Sequence, residues 1–135
     1  MADGPITGAQ TQGSQIVHKE LSYRIVGCAQ KVHRALGPGL PEGLYQKALC
    51  YELMDAGLAF ETEKSVEVHY GSRLCGEFRM DLVVDGQVIV ELKALDKLSD
   101  LHLAQALSYL KATGLRLALL VNLGGTRLEV KRVVL

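Results

Sequence analysis

The sequence holds no tryptophan, two phenylalanines and five tyrosines among 135 residues, and three each of proline and cysteine. So few rings leave little from which to build a stacking platform for nucleic acid. Cys28, Cys50 and Cys75 are odd in number and far apart, with no CxxC pair and no Cys/His cluster. Neither a zinc site nor a disulfide framework is indicated, and free thiols in a reducing cytoplasm are the plain reading. Excess charge is also lacking, because 15 Lys and Arg balance 15 Asp and Glu. Tight non-specific DNA binding draws on surplus positive charge that releases counterions. Any nucleic-acid contact is therefore expected to be local, weak, or supplied by a partner or a metal. No segment approaches the apolar length of a membrane span. Residues 1–15 are rich in Gly, Thr, Ser and Gln and lack a hydrophobic run, which predicts a flexible tail rather than a signal peptide. The remainder, 16–135, is one domain by length.

What is present changes period along the chain. Leu21, Ile25, Cys28, Ala29, Val32 and Leu36 recur at steps of three and four, predicting an amphipathic helix over Lys19 to Leu36. Gly37-Pro38-Gly39 ends it with a left-handed cap, and Pro41 suits the first turn of a second helix running to about Ala56. Tyr45, Ala48, Leu49 and Leu53 form the stripe of that helix. The period then falls to two over Thr62–Tyr70, with a Gly71-Ser72 turn. Phe78–Val84 and Gln87–Ala94 flank Asp85-Gly86, a strong hairpin signal. Ser99 or Asp100 can cap a third helix reaching about Ala112, with Gly114 beyond it. The apolar run Leu117–Leu123 predicts a strand covered on both faces, and Gly124-Gly125 turns the chain into a last strand over Arg127–Val134. The class is α/β (α+β): a mixed sheet of about five strands flanked by helices.

The hairpin carries the most chemistry. Side chains alternate across a strand, so Phe78, Met80, Leu82 and Val84 form one set, with Val88, Val90, Leu92 and Ala94 on the partner. Both sets are apolar and are expected to share the buried face. The other sets, Arg79, Asp81, Val83 and Gln87, Ile89, Glu91, Lys93, then share the opposite face. A two-residue turn at Asp85-Gly86 would put Asp81 and Glu91 on different faces, at the cost of several buried apolar groups. The turn is therefore expected to be a three-residue loop with Gly86 left-handed in a bulge, and Asp81 diagonal to Glu91. Two converging carboxylates at about 5 Å repel by ~3 kcal/mol at an effective dielectric near 20. Lys93 and Arg79 offset part of this, and a hard Mg²⁺ or Mn²⁺ ion would offset more. A salt-bridged face open to solvent is the alternative.

Asp81 followed after nine residues by Glu91-Leu92-Lys93 resembles the D…ExK signature of the PD-(D/E)XK nuclease superfamily. Gly39-Leu40-Pro41-Glu42-Gly43-Leu44-Tyr45 is similar to the motif that names its GxxExxY family, and Gln105 with Tyr109 resembles the QxxxY helix of related branches. Gly37-Pro38-Gly39, Arg79-Met80-Asp81, Ser108-Tyr109-Leu110 and Leu119 to Asn122 match as well, over roughly residues 20 to 134. One departure is Leu123, where the family usually has an aromatic; that change reads as core packing.

The resemblance implies a restriction-endonuclease-like fold and a metal-dependent nuclease acting on DNA in preference to RNA. It implies that Asp81, Glu91, the Leu92 carbonyl and Glu42 hold Mg²⁺ or Mn²⁺. Lys93 would position the attacking water and stabilise the transition state, and Gln105, Tyr109, Arg79 and Tyr45 would contact substrate or brace the ligands. From the residues alone, Glu42 reads first as a carboxylate at a positive helix end. By helical count Gln105 and Tyr109 point away from the buried stripe of Leu103, Ala106, Leu107 and Leu110, and His102 is exposed. Two rival functions remain: a non-catalytic module of nuclease fold that binds a protein or nucleic acid, and a self-associating structural domain using the last strand or the Tyr109 helix.

Overall fold

The computed structural model describes residues 16–135; the expected N-terminal tail lies outside them. The elements run α1 (Lys19–Leu36), α2 (Glu42–Asp55), β1 (Phe60–Tyr70), β2 (Arg73–Val84), β3 (Val88–Lys93), α3 (Asp100–Thr113), β4 (Leu117–Asn122) and β5 (Glu129–Val134). The strands form one sheet in sequence order. All neighbours are antiparallel except β3 and β4, which run parallel and are joined through α3. A parallel pair needs such a crossover, since a tight turn cannot return the chain in the same direction.

Two apolar cores sandwich the sheet. Ile25, Cys28 and Val32 of α1 and Tyr45, Leu49 and Leu53 of α2 meet Leu82, Val84, Val88, Val90, Leu92, Leu117, Leu119 and Val121 on one face. Ala106 and Leu110 of α3 meet Met80, Val83, Ile89, Ala118 and Leu120 on the other. All six residues of β4 are buried, as its unbroken apolar run requires. Five of the six in β3 are buried too, which corrects the expected hairpin faces. Val83 and Ile89 do not share an open charged face; they pack beneath α3. β3 is a central strand, so both of its faces are covered.

A second correction concerns β2. Phe78 and Met80 join the core under α3, whereas Leu82 and Val84 join the core under α1 and α2. The alternation slips at Asp81. There the β1–β2 ladder skips one residue on each strand, between Thr62↔Leu82 and Lys64↔Met80. The skipped residue on β1, Glu63, has a left-handed φ of 53°, an uncommon conformation for a residue with a side chain. Above the slip, β1 and β2 continue as a largely exposed ribbon.

The three-residue loop is present. Val84 pairs with Val88, and Asp85, Gly86 and Gln87 lie between them. Gly86 is left-handed at φ 65°, and so is Asp85 at 54°. Gly37 and Gly114 take positive φ at the ends of α1 and α3 as expected. Pro41 sits one residue earlier than expected, as the extended N-cap of α2 at φ −61° and ψ 147°. Tyr45 is fully buried, and its hydroxyl donates to the Gly37 carbonyl and accepts from the Leu40 N–H. It thus pins the Gly37–Leu40 loop and fixes where α2 begins. Tyr45→Phe removes both bonds and should cost about 1–2 kcal/mol, read as a fall of a few degrees in the thermal midpoint.

Candidate active site

The β2–β3 ladder ends at Leu82↔Val90. One further step of the same register sets Asp81 directly across from Glu91, not diagonal to it. Side chains take over from the ladder at that point. The Asp81 N–H donates to Glu91 Oε2 at 2.8 Å, and the Leu92 N–H donates to Asp81 Oδ2 at 2.8 Å. Each carboxylate thereby satisfies a backbone donor that the parting strands leave without a carbonyl. The bonds also hold the two carboxyl groups beside each other.

Burial makes that pairing costly. Glu91 is only 4% exposed, and its carboxyl is pushed from an ordinary 4.5 up to about 8. Burial is the largest cause and the Asp81 charge the next; the Asp81 N–H and Lys93 pull the other way, and Glu42 pushes up. Asp81 is raised as well, by burial first, against the Leu92 N–H bond and Lys93. Desolvation and a like charge both favour the neutral acid. The pair is therefore biased toward holding a shared proton, with Glu91 the more strongly raised of the two.

Three elements complete the surroundings. Glu42, the first residue of α2, is exposed, yet its carboxyl is raised by partial burial and by Asp81, lowered by Lys93 and raised by Glu63. Glu42, Asp81, Glu91 and Lys93 thus share one field. Lys93, half-buried at the end of β3, is the cation that acts on all three carboxylates. Tyr109 of α3 feels both Glu91 and Asp81. Contrary to the helical count, it is half-buried against the second core, with its ring stacked on Phe78 at 4.2 Å between centroids.

Other expected residues stand elsewhere. Tyr45 belongs to the core, as described above. Gln105 is exposed on α3 and, among the described residues, makes no hydrogen bond to the carboxylates. Arg79 is exposed on β2 and is not among the charges that act on Asp81 or Glu91. His102 is not simply solvated. Its Nδ1 accepts from the Ser99 N–H, forming a capping box that starts α3.

Sequence reasoning missed Gln46, Glu63, Asn122 and Glu129. Gln46 Nε2 donates to Glu63 Oε2 at 3.1 Å and to the Asp81 carbonyl at 3.5 Å, bracing the slip in β2 from α2. The one sequence signal for Gln46 was its place a turn after Glu42. Asn122 is buried, and its side chain bonds the Leu95 N–H, the Leu95 carbonyl and Glu129. Glu129 in turn accepts from the Leu98 N–H, and the Leu123 N–H donates to the Lys93 carbonyl. Together they fix the loop that leaves Lys93. Gly124 lies against that loop so closely that a Cβ would fall 2.3 Å from the Leu95 nitrogen.

The donor set can be tested against a divalent cation. Among the described residues, no three of His, Cys, Asp and Glu stand close enough to close round a metal ion. The chemistry of the donors nevertheless fits a hard cation, since they are all oxygen and carry excess negative charge. The raised Glu91 carboxyl is the strain that such a cation would relieve. On chemistry, then, the residues fit.

A family model described as the PD-(D/E)XK nuclease superfamily matches residues 19–133. The chain belongs to that superfamily. No curated protein matches it closely enough to count as a relative. The crystal structure of SSO0001 is similar with a TM-score of 0.54 at 12% identity, covering 91% of this chain and 78% of that one. At that identity the likeness is one of fold.

Two outcomes follow from this geometry. The Glu91 carboxyl has a higher pKa folded than unfolded, so its contribution to stability is complete below about pH 4.5 and is lost as pH rises through about 8. Glu91→Gln keeps an oxygen acceptor for Asp81 and removes the charge. Without divalent ions, its thermal stability relative to the unsubstituted chain should climb between these pH values, reaching a few kcal/mol; a difference independent of pH in calorimetry would contradict the argument. Gly124→Ala should cost at least ~2 kcal/mol in the same melts, because a backbone loop must move to admit the methyl.

Proposed function

We propose that the protein is a metal-dependent nuclease that hydrolyses phosphodiester bonds of nucleic acid, DNA in preference to RNA, with Asp81, Glu91 and Lys93 as its centre. The observation that carries the reading is the pairing of buried Glu91 with half-buried Asp81 beside Lys93, where β2 and β3 part in a chain of this superfamily. Asp81, Glu91, the Leu92 carbonyl and Glu42 would hold Mg²⁺ or Mn²⁺. When bound, such an ion polarises a phosphate and makes a nearby water more acidic. The remaining work falls to the chain's own groups. Lys93 orients the attacking water and faces the negative charge that grows on phosphorus oxygens in the transition state. Gln46 and Glu63 hold the β2 backbone at Asp81 in place. Tyr109 stands on the α3 side, where it meets the substrate strand, and Gln105 extends that contact by one turn.

Within the superfamily, the Gly39 to Tyr45 motif supports the GxxExxY branch. Its glutamate opens α2 next to Asp81 and Lys93; its tyrosine anchors the loop before α2. Residues 16–135 are taken as a single catalytic domain. No helix among the described residues is long and apolar enough to cross a membrane, and the free cysteines suit a cytoplasmic setting. The balanced charge means that DNA is held by local contacts rather than by a broad basic surface.

The test is cleavage of labelled DNA with Mn²⁺ or Mg²⁺, alongside titration calorimetry of the ion. Lys93→Ala should lower the rate ~10²–10³-fold while ion binding persists, and Glu91→Ala should abolish both. Cleavage that survives both substitutions would sink the site. An unsubstituted protein that binds neither ion nor cleaves would be a non-catalytic binding module.

A further inference from the structure

A groove of about 490 Å³ runs between α3 and the β1–β2 ribbon, lined by Glu67, Val68, His69, Phe78, Ser108, Tyr109, Lys111 and Ala112. Neither the candidate metal ligands nor Lys93 line it. Tyr109 is the residue it shares with the candidate site: it lines the groove and feels the charges of Glu91 and Asp81. Its walls divide by chemistry. Val68, Phe78, Tyr109 and Ala112 offer an apolar, partly aromatic surface, and Phe78 and Tyr109 are already stacked parallel to within 13°. Lys111 on α3 and His69 on β1 put hydrogen-bond donors along the groove, with His69 Nε2 3.7 Å from the Glu67 carboxylate; the Ser108 hydroxyl already donates to the Ala104 carbonyl.

We propose that this groove is a nucleotide pocket that takes one unpaired base of a nucleic-acid strand beside the scissile phosphate, with Lys111 on a neighbouring phosphate. The choice of ligand rests on the nuclease reading above; the groove itself does not. Three features select this occupant. The volume lies within the range of small-ligand clefts, which suits a base and its sugar. Unpaired bases are recognised by aromatic and apolar walls, because every base has a π-face. Lys111 on the α3 wall can meet one phosphate, while Glu67 on the β1 wall, beside His69, keeps that contact to the α3 side. The scarcity of rings noted in the sequence confines stacking to one base and not a run of them. The substrate class that follows is a single strand or a frayed end.

Fluorescence anisotropy of a labelled twelve-nucleotide single-stranded DNA, beside its blunt duplex, decides the matter, with Ca²⁺ present in place of a catalytic ion. The single strand should bind at least tenfold more tightly than the duplex. Lys111→Glu should weaken single-strand binding about tenfold and flatten its salt dependence by about one ion. Ala112→Leu narrows the groove from an exposed helix position and should weaken it similarly. Circular dichroism melts of both variants check that they remain folded. Equal affinity for strand and duplex, no binding of the strand, or affinities unmoved by both variants would each overturn the pocket. The nuclease reading fails separately: binding that follows the predicted pattern, with no cleavage in Mn²⁺, keeps the pocket and removes the hydrolase. Cleavage with affinities unmoved does the reverse.

Discussion

Two backbone N–H groups, those of Asp81 and Leu92, donate to carboxylates and not to carbonyls. The rest of the candidate site depends on that substitution. A buried amide must find an acceptor, and here the acceptor is the functional group itself. Where β2 and β3 part, the sheet would otherwise expose unsatisfied donors, and the acids would be free to swing apart under their mutual repulsion. Each problem is met by the other. The geometry keeps two like charges together in a poorly solvated place, and the raised Glu91 carboxyl is the measure of the stress.

The surrounding frame supplies the rigidity this arrangement needs. β3 and β4 are parallel, central and buried on both faces, so Glu91 cannot move without disturbing two cores. Lys93 is held from the far side by Asn122, Glu129 and the close approach of Gly124 to the Leu95 backbone. On the other flank, α2 brings Glu42 by its start and Gln46 by its second turn. The Tyr45 hydroxyl sets that start by tying down the preceding loop. A residue read as part of the site thus serves it indirectly, as a core side chain that decides where a helix begins.

Balanced net charge, a stressed acidic pair and one local cation suit a chemistry in which affinity is concentrated at a few contacts. In the proposed reading, a bound cation would take the place of the Glu91 proton. Tyr109 joins the site to the groove under α3, so the strand and its reacting phosphate would be gripped from adjacent elements. Long-range steering, which needs a broad field of one sign, has little part in such a design.

Helix spans, the order of elements along the chain and the three-residue hairpin loop were legible from periodicity, turn residues and apolar patterning. These are local properties, and α1 follows its predicted bounds, Lys19–Leu36. The candidates Asp81, Glu91, Lys93 and Glu42 were legible because a charged residue inside an apolar alternation stands out, and because the spacing matched a known signature. The slip in alternation at Asp81 was not, since it arises from Glu63 on a different strand and from Gln46 on a helix. Nor was the second core under α3, which turned an expected charged face into a buried one around Val83 and Ile89. Tyr109 was misplaced for the same reason: a helical count gives a direction, but the neighbour on that side, Phe78, is fixed by the fold. The sequence alone determined which groups carry charge and which elements carry them. Only the tertiary structure decided how far those groups are buried, and so that the Glu91 carboxyl is raised, because desolvation depends on what packs from both sides of a sheet.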